Sequence, residues 1–176
     1  MPDNDVLIET PAWILSPHEH FKIALDESSM QEYIRDPQVY AIPDAVDYCN
    51  QIILWRNHFT PVIDLSLIVG GEALDVNHLA IVGYQEYAEQ KPKYLAIKLV
   101  NEIERVKVLD AAACGWPKEY PIEIQPIVQS LFMNEDELIS VINIADLCNE
   151  GYRDYLAKIA VLLSKKAKSK KVNQKN

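Results

Sequence analysis

Apolar residues in the middle of the chain form two short runs of strand length separated by a polar turn. The first run covers residues 52–55 and the second covers 59–65, with Arg56-Asn57-His58 between them. Two β-rich runs joined by a short polar turn predict a β-hairpin. Asn57 is the turn residue best suited to a positive φ, because asparagine tolerates the left-handed region better than other non-glycine residues.

A short capped helix is predicted directly after this hairpin. Asp64 ends the second run, and its carboxylate can accept hydrogen bonds from the free backbone N–H groups of a helix over 65–69. Gly70-Gly71 then predicts the end of that helix. The unit is therefore strand, turn, strand and capped helix.

The same unit recurs 79 residues later without a gap, since Val62-Ile63-Asp64-Leu65 aligns with Val141-Ile142-Asn143-Ile144. The alignment also places residues 52–54 on 131–133, and Asn143 is a helix cap like Asp64. The repetition predicts a duplicated small barrel. The alternative is a chance likeness between two hairpins of a β protein.

Short apolar segments separated by turn residues fill most of the remaining chain. About ten short strands in all predict an all-β, barrel-like domain. The segment 26–34 fits either a helix or a strand, and the glycine and prolines of 111–125 predict a loop. The further predicted strands cover residues 12–15, 21–25, 39–42, 78–84, 94–100 and 103–109, with a five-residue loop at 16–20.

The character of the chain changes at Gly151. Apolar residues then recur at three- and four-residue steps, which predicts an amphipathic helix packed on the second barrel. The tail from Ser164 to Asn176 holds six of the 17 basic residues and none of the 26 acidic ones, so the first 163 residues carry a net charge of −15. We expect residues 1–9 and 166–176 to be disordered.

The acidic body argues against a nucleic-acid surface and suits contact with basic patches on protein partners. No apolar run approaches ~20 residues, so no membrane-inserted helix is expected. The first residues lack a basic-then-apolar signal pattern, which favours a cytoplasmic protein. Cys49, Cys114 and Cys148 are widely spaced and odd in number, which favours free thiols in a reducing compartment.

The ordered set of these segments resembles the CheW-like chemotaxis coupling proteins over about residues 10–165. The piece Pro61-Val62-Ile63-Asp64-Leu65 is similar to the family's Pro-Val-Ile-Asp-Leu, and residues 51–57 occupy the place of its Gly-Val-Ile-Asn-Leu-Arg-Gly. Further similar segments are Phe21-Lys22-Ile23, Met30-Gln31-Glu32-Tyr33, Tyr94-Leu95-Ala96-Ile97 and the stretch Val141–Leu147.

The resemblance implies two intertwined five-stranded barrels of SH3-like type, in agreement with the repeat. It also implies a non-catalytic adaptor without cofactor or metal, which couples a chemotaxis histidine kinase to the cytoplasmic tips of methyl-accepting chemoreceptors. Both glycines of the family motif are replaced here, by Gln51 and Asn57. These departures suit a divergent member, from an array that governs pili or surface motility such as twitching.

The resemblance places Arg56 on the receptor-binding surface, where a guanidinium can fork to a carboxylate. The repeat partner of Arg56 is Glu135, so the scaffold alone does not demand arginine there. The other candidate protein-binding residues are Glu32, Met30, Gln51, Trp55 and Asn57. Four of the six have a plainer interpretation: a solvated turn charge for Arg56, a strand-edge pair for Glu32 and Met30, and core filling for Trp55.

Other functional classes find less support in the residues. Asp64 has no second carboxylate or base placed beside it, and the cap explains it fully. His18 and His20 lack further ligands at metal-site spacing, so a solvated loop is favoured. The alternatives that stay open are a small β-barrel enzyme or ligand-binding domain, and a degenerate coupling domain that binds only one partner.

Overall fold

Twelve strands and three α-helices account for most of residues 8–173, the part of the chain that the computed structural model describes, with side chains described for 8–170. Short 3-10 turns lie at Asp47–Cys49, Asp110–Ala112 and Gln125–Ile127. The strands are β1 (Glu9–His18), β2 (Phe21–Asp26), β3 (Met30–Arg35), β4 (Tyr40–Ala41), β5 (Gln51–Trp55), β6 (His58–Ile63), β7 (His78–Tyr84), β8 (Lys93–Leu99), β9 (Glu104–Leu109), β10 (Ala113–Cys114), β11 (Val128–Asn134) and β12 (Glu137–Ile142). The helices are α1 (Leu65–Ile68), α2 (Ile144–Leu147) and α3 (Glu150–Asn173).

The central hairpin forms as the sequence predicts, but with a tighter turn. Trp55 pairs with His58, so His58 belongs to β6 and the turn has two residues instead of three. Both turn residues have positive φ, 45° at Arg56 and 64° at Asn57. Two successive residues in this region make the turn whose twist matches the flanking strands. Arginine therefore occupies a strained position that asparagine or glycine would fill more easily.

The predicted helix caps are both confirmed. Asp64 accepts a hydrogen bond from the backbone N–H of Ser66 at 3.1 Å, and Asn143 accepts one from Ala145 at 3.0 Å. Gly70 follows α1 with a φ of 86°, a conformation that glycine adopts at no steric cost. The second hairpin repeats the first at the expected offset, because Asn134 pairs with Glu137 as Trp55 pairs with His58.

The two halves of the chain exchange strands. One six-stranded sheet has the order β9-β1-β2-β12-β11-β10, and the other has the order β3-β7-β8-β6-β5-β4. In each sheet, two strands therefore come from one half of the chain and four from the other half. One of those four, β4 in one sheet and β10 in the other, is only two residues long. The pairs β2–β12 and β6–β8 are parallel, whereas the other strand pairs of the two sheets are antiparallel. The fold is all-β, with two intertwined SH3-like barrels and a C-terminal helix, which confirms the predicted fold class.

Three hydrophobic clusters follow from this exchange. Ile53, Trp55 and Ile81 belong to the core of the β5–β6 barrel. Ile14, Phe132 and Ile139 belong to the core of the other barrel. The largest cluster lies between the barrels and draws on both, so we call it the shared core. Strands β7 and β8 are buried on both faces, which explains why their sequences are apolar without alternation.

Two loops differ from their expected lengths. Strand β1 runs on to His18 through a bulge after Leu15, so the first hairpin turns at Glu19-His20 instead of over five residues. The ambiguous segment 26–34 resolves into a turn followed by β3. In that turn the Asp26 carboxylate accepts hydrogen bonds from the backbone N–H groups of Ser28 at 3.0 Å and Ser29 at 3.1 Å. A local side-chain bond of this kind favours a turn over a helix.

A buried ion pair lies beneath α1. Lys98 Nζ is 3.4 Å from Asp64 Oδ2, and the two side chains are only 8% and 2% exposed. Asp64 Oδ2 also accepts from the backbone N–H of Leu74 at 2.9 Å, and Lys98 donates to the Leu74 carbonyl at 3.2 Å. Asp64 thus caps α1, holds the following loop and balances the charge on β8. The expectation that the cap alone explains Asp64 is therefore wrong, because β8 brings Lys98 to it from 34 residues away.

Helix α3 begins where the sequence predicts the C-terminal helix. Tyr152 donates to the carbonyl of Glu123 at 2.8 Å, and Tyr155 donates to that of Ile122 at 2.6 Å. The helix continues to Asn173, although disorder is expected from residue 166. Lysine and alanine have high helix propensity, and no glycine or proline interrupts residues 166–173, which favours a helix there. The expected disorder of 1–9 falls on residues outside the described range, apart from Ile8 and Glu9, and β1 begins at Glu9.

None of the helices within residues 8–173 is long and apolar enough to cross a membrane.

We predict that Lys98→Met lowers the free energy of unfolding by about 3–5 kcal/mol, because it leaves the buried Asp64 carboxylate without its cation. The double variant Asp64→Asn with Lys98→Met should recover much of this loss. Asparagine keeps the cap, as Asn143 does in the second unit. Urea unfolding of the two single variants and the double variant measures the coupling. Additive losses would show that the two charges do not interact.

We also predict that Leu156→Asp lowers the free energy of unfolding by about 3 kcal/mol, since Leu156 packs against the shared core. Leu162→Asp is the matched control, because Leu162 lies on the same helix but is 54% exposed. Thermal melts of both variants in dilute solution compare their melting temperatures with that of the parent protein. Equal melting temperatures would mean that α3 is not anchored through Leu156.

Candidate functional site

The end of β5 places an indole within reach of a carboxylate on β3. Trp55 is buried in the core of its barrel, and its Nε1 donates to Glu32 Oε2 at 2.7 Å. Tyr94 on β8 packs edge-on against the indole, with the ring centroids 4.9 Å apart. Strands β3 and β5 are not neighbours in their sheet. The bond between Glu32 and Trp55 therefore helps to close the barrel between them.

Arg56 completes this arrangement from the hairpin turn. Its guanidinium carbon lies 4.6 Å from the centre of the Trp55 ring, and its Nη2 lies 3.4 Å from Glu32 Oε2. Stacking on tryptophan and pairing with a carboxylate both hold the guanidinium in place. We call Glu32, Trp55, Arg56 and Tyr94 the turn cluster.

The turn cluster presents a fixed cation at the protein surface. The Arg56 side chain is 64% exposed although it is held on two sides. A guanidinium carries five N–H groups in a planar fork. A group that is oriented in advance loses less conformational entropy when it binds a second carboxylate. The chemistry of this site therefore suits recognition of an acidic protein side chain.

The structure brings together only part of the predicted set of binding residues. Glu32, Trp55 and Arg56 meet in the turn cluster, and Asn57 completes the turn beside them. Met30 instead packs against the shared core. Gln51 lies at the opposite end of β5 from Trp55, and its buried Oε1 has no hydrogen-bond partner among the described residues. A binding role for any of the six residues stays a prediction.

An exposed apolar surface lies beside the turn cluster and was missed from the sequence. Leu54 and Phe59 are opposite each other in the hairpin, and they are 57% and 77% exposed. The signal was available in the alternation of β5, where Leu54 lies between the inward-facing Ile53 and Trp55. We name this surface the outer hairpin face, and it comprises Tyr40, Ile52, Leu54, Phe59 and Pro61.

The raised pKa values of Cys49 and Tyr120 have burial as their main cause. Burial raises the pKa of the half-buried Cys49 thiol, which keeps it protonated and a poor nucleophile. Burial also raises the pKa of Tyr120. Its hydroxyl lies 2.5 Å from Ser140 Oγ, and the hydrogen bond between them lowers the pKa and so partly offsets the effect of burial. Within the described residues, no group of three or more His, Cys, Asp or Glu could hold a metal ion.

Comparisons with known proteins agree with this architecture. The profile of the CheW-like domain matches residues 18–152. The crystal structure of the scaffolding protein TtCheW from Thermoanaerobacter tengcongensis superposes with a TM-score of 0.59 at 18% sequence identity, covering 78% of this chain and 90% of that one. A search of curated proteins gives no significant match.

We predict that Glu32→Ala lowers the free energy of unfolding by about 1–3 kcal/mol, because it leaves the buried Trp55 N–H without an acceptor. Glu32→Gln is the control, since the amide oxygen still accepts that bond while the charge opposite Arg56 is lost. Its cost should stay below about 1 kcal/mol, as for exposed ion pairs. Urea unfolding distinguishes the two variants. Parental stability of Glu32→Ala would show that the bond does not help to close the barrel.

Proposed function

Because this chain belongs to the CheW-like domain family, we propose that it is a non-catalytic adaptor that couples chemoreceptors to a histidine kinase in a bacterial chemosensory array. Its partners are the cytoplasmic tip of a methyl-accepting chemoreceptor and a chemotaxis histidine kinase. It acts in the cytoplasm and binds proteins only, with no cofactor, nucleic acid or membrane insertion in its mechanism.

The observation that carries this proposal is the fixed, exposed guanidinium of Arg56 beside an apolar face. Arginine and aromatic side chains dominate the energy of protein interfaces. Arg56 supplies a directional contact to an acid, and Phe59 supplies apolar area next to it. An enzyme would instead need convergent polar groups in a cleft. The turn cluster offers one exposed cation, which suits docking on a second protein.

We assign the receptor contact to Arg56 and the outer hairpin face, and the kinase contact to another face of the barrels. The receptor tip is expected to present an acid to the guanidinium and apolar side chains to Leu54 and Phe59. Glu32 acts as a positioning residue, because it holds Arg56 and Trp55. Separate surfaces would let one adaptor hold both partners at once.

The replaced family glycines support a divergent array. Gln51 brings a side chain whose buried Oε1 has no partner among the described residues to a position where the family has glycine. A group of this kind is costly to bury unless a partner or a changed neighbour satisfies it. We therefore place this adaptor in a specialised array, such as one that controls pili or surface motility.

We predict that Arg56→Glu abolishes co-purification with receptor signalling tips but spares binding of the kinase. The variant repels Glu32 and the acid of the receptor, and losing such an interface pair costs on the order of 2–5 kcal/mol of binding. Arg56→Asn is the matched control for the fold, because asparagine keeps the left-handed turn while removing the charge. It should weaken receptor binding without adding repulsion. Pull-down of both partners with each variant, and a thermal melt of each, make the measurement.

The outcomes separate the remaining alternatives. Loss of both partners at an unchanged melting temperature would mean that one surface serves both of them. Undiminished receptor binding by Arg56→Glu would mean that this chain is a degenerate coupling domain whose receptor contact has been abandoned.

A further inference from the structure

Helix α3 extends well past its last contact with the barrels. Tyr152 is buried, and Tyr155, Leu156 and Ile159 are half-buried, but each residue from Ala160 to Lys170 is exposed. The 14 residues from Ala160 to Asn173 span about 21 Å at 1.5 Å per residue. The family match ends at residue 152, so this extension lies outside the conserved domain.

At the point where α3 becomes exposed, one turn of the helix is apolar on every side. Residues 159–163 read Ile-Ala-Val-Leu-Leu, and Val161, Leu162 and Leu163 are all exposed. Five successive residues cover the full circumference of a helix. A helix without a polar face is normally covered by another element. We call residues 159–163 the apolar turn.

A groove runs beside the apolar turn. It has a volume of about 620 Å³ and lies between α3, α1 and the 3-10 turn that precedes β5. Its rim carries the acidic side chains of Asp47 and Glu123 together with Arg153. The apolar side chains that line it include Val46, Leu67, Ile68, Leu156, Ile159 and Leu163. The groove is therefore a place where another helix can bury its apolar residues.

The charge along α3 is strongly divided. Glu150 and Asp154 lie in its first turns, and no acidic residue follows Asp154 in the sequence. The exposed Lys165, Lys166, Lys168 and Lys170 follow the apolar turn, while the first 163 residues carry a net charge of −15. The surface that best complements this basic end is an acidic body such as that of this same chain.

We propose that two copies of this chain pair through α3 in an antiparallel, two-fold symmetric dimer. The apolar turn of each copy covers that of its partner. A two-fold interface uses the same patch on both copies, and a turn near the centre of α3 meets this requirement. With Val161 on the symmetry axis, Lys168 of one copy lies opposite Asp154 of the other, since both are seven residues from Val161.

Sedimentation velocity of the full chain tests the dimer directly. The parent protein should change from monomer to dimer as its concentration rises. Leu162→Asp should raise the dimer dissociation constant more than tenfold, because it places a charge in the apolar contact, while the melting temperature of the dilute protein stays unchanged. Phe59→Asp is the matched control, since Phe59 is also exposed but lies on the outer hairpin face, and it should dimerise like the parent.

A charge exchange tests the antiparallel register. Asp154→Lys alone and Lys168→Glu alone should each dimerise several-fold more weakly, because each places like charges opposite one another twice per dimer. An equimolar mixture of the two variants restores both opposite-charge contacts. It should therefore form heterodimers about as tightly as the parent forms dimers.

Several results would overturn the proposal. The parent chain could remain monomeric at every concentration, or Leu162→Asp could dimerise like the parent. The mixed variants could fail to associate more strongly than either one alone. Finally, the chain could remain monomeric and sediment with phosphatidylglycerol vesicles, which would assign the apolar turn and the lysines to a lipid surface.

Discussion

The exchange of strands between the two halves of the chain is the constraint on which the rest of the structure depends. Strand β8 pairs in parallel with β6, with Val62 opposite Ala96 and Ile63 opposite Ile97. Strands β7 and β8 then lie between a barrel core and the shared core, so both of their faces are buried. Neither barrel can form its core without strands from the other half. We therefore expect the two barrels to unfold as one cooperative unit.

The strands that pair in parallel with the two hairpins, β2 and β8, carry opposite charges at equivalent positions. When the parallel strand pairs are superposed, with Val62–Ala96 on Val141–Ala24, Lys98 of β8 falls on Asp26 of β2. The helix cap changes at the same time, from Asp64 to Asn143. An aspartate cap matches a buried lysine, whereas a neutral asparagine avoids a second anion near an aspartate. The caps therefore follow the charge of the neighbouring strand.

Asp26 itself is stabilised by its own turn. Burial works to raise the pKa of Asp26, but hydrogen bonds from Ser28 and Ser29 outweigh it and hold that pKa below its ordinary value. A carboxyl of this kind adds stability above its unfolded pKa and loses it as the pH falls through the folded pKa. The strand beside the second repeat thus carries the anion Asp26, whereas Lys98 beside the first repeat forms an ion pair with Asp64.

Features that depend on neighbouring residues could be predicted from the sequence. The hairpin and the caps at Asp64 and Asn143 depend on residues close together in the sequence, as does each copy of the unit that repeats after 79 residues. The structure contains all of these features. Contacts between distant strands could not be derived in this way. Glu32 and Trp55 are 23 residues apart on strands that do not pair, so only the barrel closure brings them together. The sequence pointed to both residues through the family resemblance but not to their bond.

The Arg56 turn and the groove beside α3 lie toward opposite ends of β5. The α3 groove adjoins the 3-10 turn before β5, whereas Arg56 follows the other end of that strand. Five residues of strand span about 17 Å. The contacts proposed for the dimer all lie on α3 and do not include the Arg56 turns. Two receptor contacts on one particle raise the effective concentration of the second contact, so that weak individual contacts can still hold an array together.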